Sequence, residues 1–128
     1  MNTKICTSIE QSKKLIELGI DINTADLTVT NYPLQDGSRF DFICCKLPND
    51  TFPSITDGKS EKIPAWSLTA LLGLIEWDYN LEKTLFDQSD FFTYSIVCDD
   101  LDFRTYEYDD PIDAAFEMIC WLKKYYKI

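Results

Sequence analysis

Residues 91–125 read FFTYSIVCDDLDFRTYEYDDPIDAAFEMICWLKKY, and this stretch predicts a β-hairpin followed by a long helix. Residues 91–98 and 103–108 are rich in aromatic and β-branched side chains, which favour strands. The four residues between them, 99–102, are Asp-Asp-Leu-Asp and suit a short turn. The spacing therefore predicts two antiparallel strands joined at an exposed, negatively charged end.

The helix that follows has a defined start and a broad apolar surface. Asp110 is placed to cap its first turn, Pro111 suits the first helical position, and the helix is expected to run to about Tyr125. Helical periodicity gives one apolar stripe that contains Ile112, Ala115, Phe116, Ile119, Leu122 and Tyr126. A second stripe contains Ala114, Met118, Trp121 and Tyr125. Together they span roughly 220°, more than the ~100° of a surface helix, so the second stripe needs cover from the same domain, from a partner or from a second copy.

A shorter helix is predicted near the beginning of the chain. Thr7 and the glutamate three residues later have the spacing of a capping box, and residues 8–18 follow as the helix. Gly19 supplies the left-handed residue at which many helices end. In that ending, Ile20 is expected to fold back toward Leu15.

A helix is also predicted in the middle of the chain, over residues 68–76. Ser67 is its expected N-cap, and Trp66 and Leu71 have the spacing of a hydrophobic staple. Almost every side of this helix is apolar, so we expect it to be buried.

Two more strands are expected before the middle helix, at 27–32 and 39–47. The element order is then α-β-β-α-β-β-α. This order predicts an α+β fold, with a small antiparallel β-sheet and about three helices packed on one face. The length of 128 residues suits one globular domain over residues 1–128.

The net charge of −10 is concentrated in one segment. Residues 90–113 hold eight acidic residues against Arg104 alone, which gives a net charge of −7. The eight are Asp90, Asp99, Asp100, Asp102, Glu107, Asp109, Asp110 and Asp113. Nucleic acids and anionic membranes need the opposite sign. We therefore expect no direct nucleic-acid or membrane binding, and a protein partner with a basic surface.

Several functional classes are disfavoured by missing residues. The chain has no histidine, no glycine-rich phosphate loop and no Gly-x-Ser-x-Gly motif, so the common triads and nucleotide sites are absent. Its five cysteines lack the spacing of a zinc site and are expected to be buried, reduced thiols. No cofactor is expected. The first residues resemble no signal peptide, and the longest apolar run, 70–75, is too short for a membrane span, so a cytoplasmic protein is expected.

Three patterns leave an enzyme open as an alternative. Asp99, Asp100 and Asp102 could bind a hard cation, although aspartates also initiate turns and the pattern of a calcium loop is missing. Cys44 and Cys45 could include a nucleophile, although cysteine in an apolar strand is usually a packing residue. Two of the many carboxylates could also act as an acid/base pair.

Three stretches carry a resemblance to a known family: QSKKLIELG at 11–19, IPAWSLTALL at 63–72 and DAAFEMICWL at 113–122. They resemble small proteins without an assigned activity from gut Bacteroidota and their phages or mobile elements. The resemblance implies a cytoplasmic, compact α+β domain of phage or mobile-element origin. It carries over no catalytic residue.

The sequence thus favours a non-catalytic acidic domain that binds or regulates a protein. The candidate interaction surface comprises Asp99, Asp100, Asp102, Glu107, Asp109, Met118, Trp121 and Tyr125. A homodimer through the last helix is a further expectation. The alternatives are a metal-dependent or carboxylate-based enzyme, and an inhibitor that mimics nucleic acid and occupies a DNA-binding protein.

Overall fold

A computed structural model describes residues 4–48, 54–55, 60–85 and 92–126 of the chain. The predicted α+β class is confirmed, with three α-helices and antiparallel strands in the described residues. In chain order the elements are α1 (Ile9–Glu17), β1 (Leu27–Pro33), β2 (Arg39–Cys45), β3 (Ser54–Ile55), β4 (Glu61–Ala65), α2 (Leu68–Leu72), β5 (Asn80–Leu85), β6 (Phe92–Cys98), β7 (Phe103–Arg104) and α3 (Pro111–Tyr126).

The strands form two sheets, where the sequence predicted one. The first sheet has the order β2-β1-β4-β3 and the second has the order β5-β6-β7. In the first sheet, Val29 of β1 lies opposite Ile43 on one side and Ile63 on the other. The sequence did not predict β4, because Pro64 lies within it and proline usually argues against a central strand.

The first helix ends as predicted but begins one residue later. Ser8 caps it, and the Ser8 and Gln11 side chains each accept a hydrogen bond from the other residue's backbone N–H. At the other end Gly19 has a φ of +90°, and the Ile20 N–H donates to the Leu15 carbonyl at 3.0 Å. This is the expected Schellman ending, which satisfies carbonyls of the last turn.

Thr7 does not cap α1 because it is bound elsewhere. Its N–H donates to the Trp66 carbonyl at 2.9 Å, and its hydroxyl accepts the Trp66 N–H at 3.1 Å. The same hydroxyl lies 2.8 Å from the Ser12 hydroxyl. These bonds join the start of α1 to the end of β4.

The middle helix is shorter than predicted. It begins after the expected cap, Ser67, whose hydroxyl accepts the Ala70 N–H at 3.2 Å, but it ends at Leu72. Within it only Leu71 is fully buried, so the expectation of a wholly buried helix was wrong. Gly73 follows directly, and glycine is a weak helix former.

The packing of the last helix accounts for its wide apolar arc. It starts at Pro111 as predicted, with the Asp110 carboxylate accepting the Ile112 N–H at 2.8 Å. It packs against β6 and against α2, so both of its apolar stripes have neighbours. Leu15 of α1, Leu71 of α2 and Ile96 of β6 join its buried side chains in the main core.

A second, smaller core lies under the first sheet. It contains Cys6, Val29, Ile63 and Ala65, with Ile9 of α1 and Leu27 packed against it. The strand β2 contributes no buried residue, and six of its seven residues are exposed.

Candidate interaction surface

The acidic turn is held at the end of the hairpin by local backbone geometry. Residues 99–101 form one turn of 3₁₀-helix, and the Asp102 N–H closes it by donating to the Asp99 carbonyl at 3.1 Å. Asp102 itself is left-handed, with a φ of 53°, a conformation that Asp and Asn tolerate better than most residues. The carboxylates of Asp99, Asp100 and Asp102 are all exposed.

An aromatic cluster lies directly beside this turn. Phe103, the residue after Asp102, stacks on Trp121 of α3 with ring centroids 4.0 Å apart and planes 8° apart. Trp121 also lies within 5.3 Å of the Tyr125 ring and 5.4 Å of the Tyr126 ring. Phe103 therefore brings the acidic turn next to two of the predicted aromatic side chains, Trp121 and Tyr125.

The cluster combines buried and exposed rings. Trp121 is half-buried, whereas 58% of Tyr125 and 43% of Tyr126 are exposed. Trp77 extends the cluster through an edge-to-face contact with Tyr126, with ring centroids 5.3 Å apart. The result is a partly exposed aromatic surface anchored in the core, a composition that is enriched at protein interfaces.

Glu107 and Asp109 lie apart from the turn. Four residues lie between Asp102 and Glu107, a separation of roughly 16 Å along an extended strand. Between them, Arg104 is bound by the Glu82 carboxylate at 2.5 Å, and this hydrogen bond raises the pKa of Arg104. The exposed acids therefore form two groups with a neutralised pair between them.

A bulge in the hairpin accompanies the exposure of Glu107. Thr105 pairs with Ile96 and Tyr108 pairs with Tyr94, so two residues of one strand oppose one residue of the other. Such a bulge turns side chains away from the regular sheet. Tyr106 and Glu107 are the two residues that lie opposite the single residue Ser95, and both are exposed. The predicted strand over 103–108 is regular only at its start.

Three acids on or beside α3 have structural roles instead. Asp110 is buried and also accepts the Lys4 backbone N–H at 2.6 Å. Asp113 pairs with the Lys4 ammonium at 2.5 Å. Glu117 accepts the Tyr108 hydroxyl at 2.6 Å, and burial together with this carboxylate raises the pKa of Tyr108. These acids tie the hairpin and the N-terminal segment to α3.

Met118 is placed in the core and is not part of any surface. It is fully buried, and its sulfur lies 3.8 Å from the Cys98 sulfur on β6. The second stripe of α3 is thus covered by the chain's own second sheet over most of its length. Of this stripe, Tyr125 is exposed and Trp121 is exposed in part.

Sequence reasoning missed three aromatic residues of the cluster: Phe103, Trp77 and Tyr126. Helical periodicity places Tyr126 in the stripe that faces the core, although the residue is exposed at the end of α3. Phe103 had a usable signal, because hairpin pairing places it opposite Cys98 and beside the helix that covers β6. The contact between Trp77 and Tyr126 depends on tertiary packing and leaves no local pattern in the sequence.

The expected buried thiols are only partly observed. All five cysteines carry free thiols, with Cys6 and Cys98 buried, Cys44 and Cys120 half-buried and Cys45 exposed. The prediction of a buried thiol is wrong for Cys45, which is exposed on the edge strand β2. Burial raises the pKa of Cys6 to about 11 and also raises the pKa of Cys98 and of Cys120. Thiols with raised pKa values are weak nucleophiles at neutral pH.

The acidic turn does not line any of three cavities that are formed by described residues. These three have volumes of about 280, 170 and 280 Å³, and their linings contain none of Asp99, Asp100 or Asp102. Within the part of the chain that the structure describes, no three Cys, Asp or Glu residues are grouped closely enough to hold a metal ion.

Comparisons with family models, with curated proteins and with solved structures find no match for this chain. Over the described residues, no helix combines the length and the apolar character needed to cross a bilayer.

Proposed function

We propose that this chain is a non-catalytic domain that binds a basic segment of a partner protein. The binding surface consists of the acidic turn, Asp99 to Asp102, and the aromatic cluster of Phe103, Trp121, Tyr125 and Tyr126. The observation that carries the proposal is the stack of Phe103 on Trp121, which places exposed carboxylates next to partly exposed aromatic rings.

Lysine and arginine side chains suit such a surface in two ways. Carboxylates form charge-assisted hydrogen bonds with them, and the faces of Trp and Tyr attract them through cation–π interactions. One cation–π contact of this kind exists within the chain, because the Lys124 ammonium lies 5.3 Å from the centroid of the Tyr125 ring. The net charge of −10 would also speed the encounter with a basic partner.

The arrangement of the acids favours docking over the mimicry of nucleic acid. A mimic needs acids spaced across one face like successive phosphates. Here the exposed acids fall into two groups, with the Arg104–Glu82 pair between them. The proposal also includes a regulatory role in the cytoplasm, for a domain of phage or mobile-element origin, and the free thiols suit a reducing compartment.

A defined basic peptide tests the proposal. The probe is an eight-residue arginine-rich peptide, titrated into the isotope-labelled chain and followed by NMR. We expect the largest shifts at the amides of 99–103 and at the Trp121 indole. The triple variant Asp99→Asn, Asp100→Asn, Asp102→Asn should weaken binding by about tenfold, because it removes the charges and keeps residues that suit the turn.

A matched variant controls for net charge. Glu10, Glu17 and Glu76 are exposed and lie outside the acidic segment, so their replacement by Gln removes the same charge elsewhere. This control should change the affinity by about threefold or less, a general screening effect. The proposal is overturned if both triple variants weaken binding equally, or if the peptide shifts map to another surface.

A further inference from the structure

The edge strand β2 exposes apolar side chains on both of its faces. Phe40 and Phe42 lie on one face and are 52% and 49% exposed, and Ile43 on the opposite face is 36% exposed. Tyr32 of β1 pairs with Phe40 and is also exposed. A long apolar edge strand is a site for pairing with another strand.

The backbone of β2 also has an outward-facing ladder. The Ser38 carbonyl accepts the Leu34 N–H, and the Lys46 N–H donates to the Asp26 carbonyl, so even-numbered residues direct their backbone groups toward β1. Alternation along the strand then directs the backbone groups of Asp41, Ile43 and Cys45 outward. No described strand pairs with this outer side.

We propose that two copies of this chain pair through β2, antiparallel and around a two-fold axis at Phe42. The two four-stranded sheets would then form one continuous sheet. This inference is independent of the proposed peptide-binding surface, which lies on the second sheet and α3.

The register follows from the outward-facing residues and their charge. Antiparallel hydrogen-bonded pairs must join outward residues of both copies, so the two-fold axis passes through one residue position. An axis at Asp41 would place two carboxylates opposite each other, which is unfavourable. An axis at Phe42 pairs all seven residues of β2 and places Asp41 opposite Ile43. It also places Phe42 beside its own equivalent, an aromatic pair of the kind that stabilises sheets.

Charge favours a second copy as the occupant of this edge. Residues 39–46 hold Arg39, Lys46 and Asp41, a net charge of +1, whereas the whole chain carries −10. Two such acidic chains repel each other over most of their surfaces, whereas at β2 each copy brings a net charge of only +1, so the repulsion between the copies is smallest there. In addition, two identical strands can pair with each other, because a two-fold interface joins the same surface of both copies.

Sedimentation of the full chain tests the proposal first. We expect a concentration-dependent species of about twice the chain mass of 14.9 kDa. Ile43→Pro removes an N–H that faces outward, which an edge strand tolerates. It should raise the dissociation constant about tenfold or more, because both copies lose a donor. Ile43→Ala is the matched control, since it shortens the side chain and keeps the N–H.

Disulfide formation tests the register without relying on the proline variant. In the background Cys44→Ser, Cys45→Ser, the variant Phe42→Cys should form a disulfide-linked dimer, because the two Cα atoms of this pair would lie ~4.5 Å apart. Phe40→Cys faces residue 44 of the other copy and should cross-link at least about tenfold more slowly. Leu85→Cys, on the exposed edge strand β5, controls for random collision.

The outcomes separate this interface from others. A dimer that Ile43→Pro weakens and that Phe42→Cys links selectively supports the proposal. A monomer at all concentrations with no selective cross-link overturns it. So does a dimer that survives Ile43→Pro with its fold intact and is lost on Tyr125→Asp, because that dimer would use the last helix.

Discussion

The strands β2 and β6 are similar in sequence and opposite in environment. Each has seven residues, RFDFICC in β2 and FTYSIVC in β6, and each ends in an aliphatic–cysteine run. The last four residues of β6 are buried, whereas β2 is exposed along nearly its whole length. β6 is the central strand of its sheet and is covered by α3, while β2 is an edge strand. Apolar character therefore identifies a strand here but does not locate it within a sheet.

The largest difference in stability between the two strands is expected when one isoleucine in each is replaced by alanine. Ile96→Ala in β6 should lower the free energy of unfolding by about 3–4 kcal/mol, because Ile96 is fully buried in the main core. Ile43→Ala in β2 should cost below about 1 kcal/mol, as expected for an exposed position. Urea denaturation at low protein concentration measures both values. Equal losses would mean that β2 is as well covered as β6.

A second test concerns the aromatic stack that joins β7 to α3. Trp121→Ala should cost about 2–3 kcal/mol, because the half-buried ring loses its contact with Phe103. Tyr125→Ala, at the exposed end of the same cluster, should cost about 1 kcal/mol or less. Thermal melts of the two variants compare them directly. A loss below about 0.5 kcal/mol for Trp121 would contradict its role as the anchor.

The cysteines that end the two strands provide a third test. Cys98→Ser places a hydroxyl in the core beside Met118 and should cost about 1–2 kcal/mol. Cys45→Ser should change stability by about 0.5 kcal/mol or less, since Cys45 is exposed. A thiol reagent at pH 8 should modify Cys45 before Cys6 or Cys98, whose pKa values are raised by burial. Mass spectrometry identifies the order, and faster modification of Cys98 would contradict its burial.

The smallest change in stability is expected for Tyr108, which lies at the bulge and pairs with Tyr94 of β6. Tyr108→Phe should cost about 1 kcal/mol at pH 7, because it removes the hydrogen bond from the Tyr108 hydroxyl to Glu117. The pKa of Tyr108 is raised in the folded state, so the folded protein holds this proton more tightly than the unfolded chain. This contribution is complete below about pH 10, the ordinary pKa of tyrosine, and decreases as the pH rises above it.

The variant Tyr108→Phe should therefore lose less stability than the wild type as the pH rises from about 10 to 11. Tyr106→Phe is the matched control, because 77% of Tyr106 is exposed. Urea denaturation from pH 7 to 11 measures the difference. Parallel pH profiles for the wild type and Tyr108→Phe would show that Tyr108 does not contribute to the alkaline loss.

The candidate surface was predictable in its charged part and less so in its aromatic part. The acidic turn at 99–102 follows from a hairpin pattern within one short stretch, and the structure places it where expected. The prediction that Met118 lies on the surface is wrong, because helical periodicity identifies an apolar stripe but does not show which element covers it. Phe103 is not among the predicted surface residues, although the stack of its ring on Trp121 brings the turn next to α3.

Features that depend only on neighbours within about five residues follow from the sequence. These are the start of α3 at Asp110 and Pro111, the acidic turn, and the ending of α1 at Gly19 and Ile20. In each case the hydrogen bonds close between residues that are near in the chain, so side-chain type and backbone conformation suffice to predict them.

Features that depend on distant residues follow only from the packing of the folded chain. Ser8 caps α1 because Thr7 is bound to Trp66, which lies 59 residues away. The division into two sheets, with Pro64 inside β4, follows from which strands meet β1 and β6. The exposure of β2 has the same origin. Burial depends on the elements that pack against a strand, and a strand's own pattern does not contain that information.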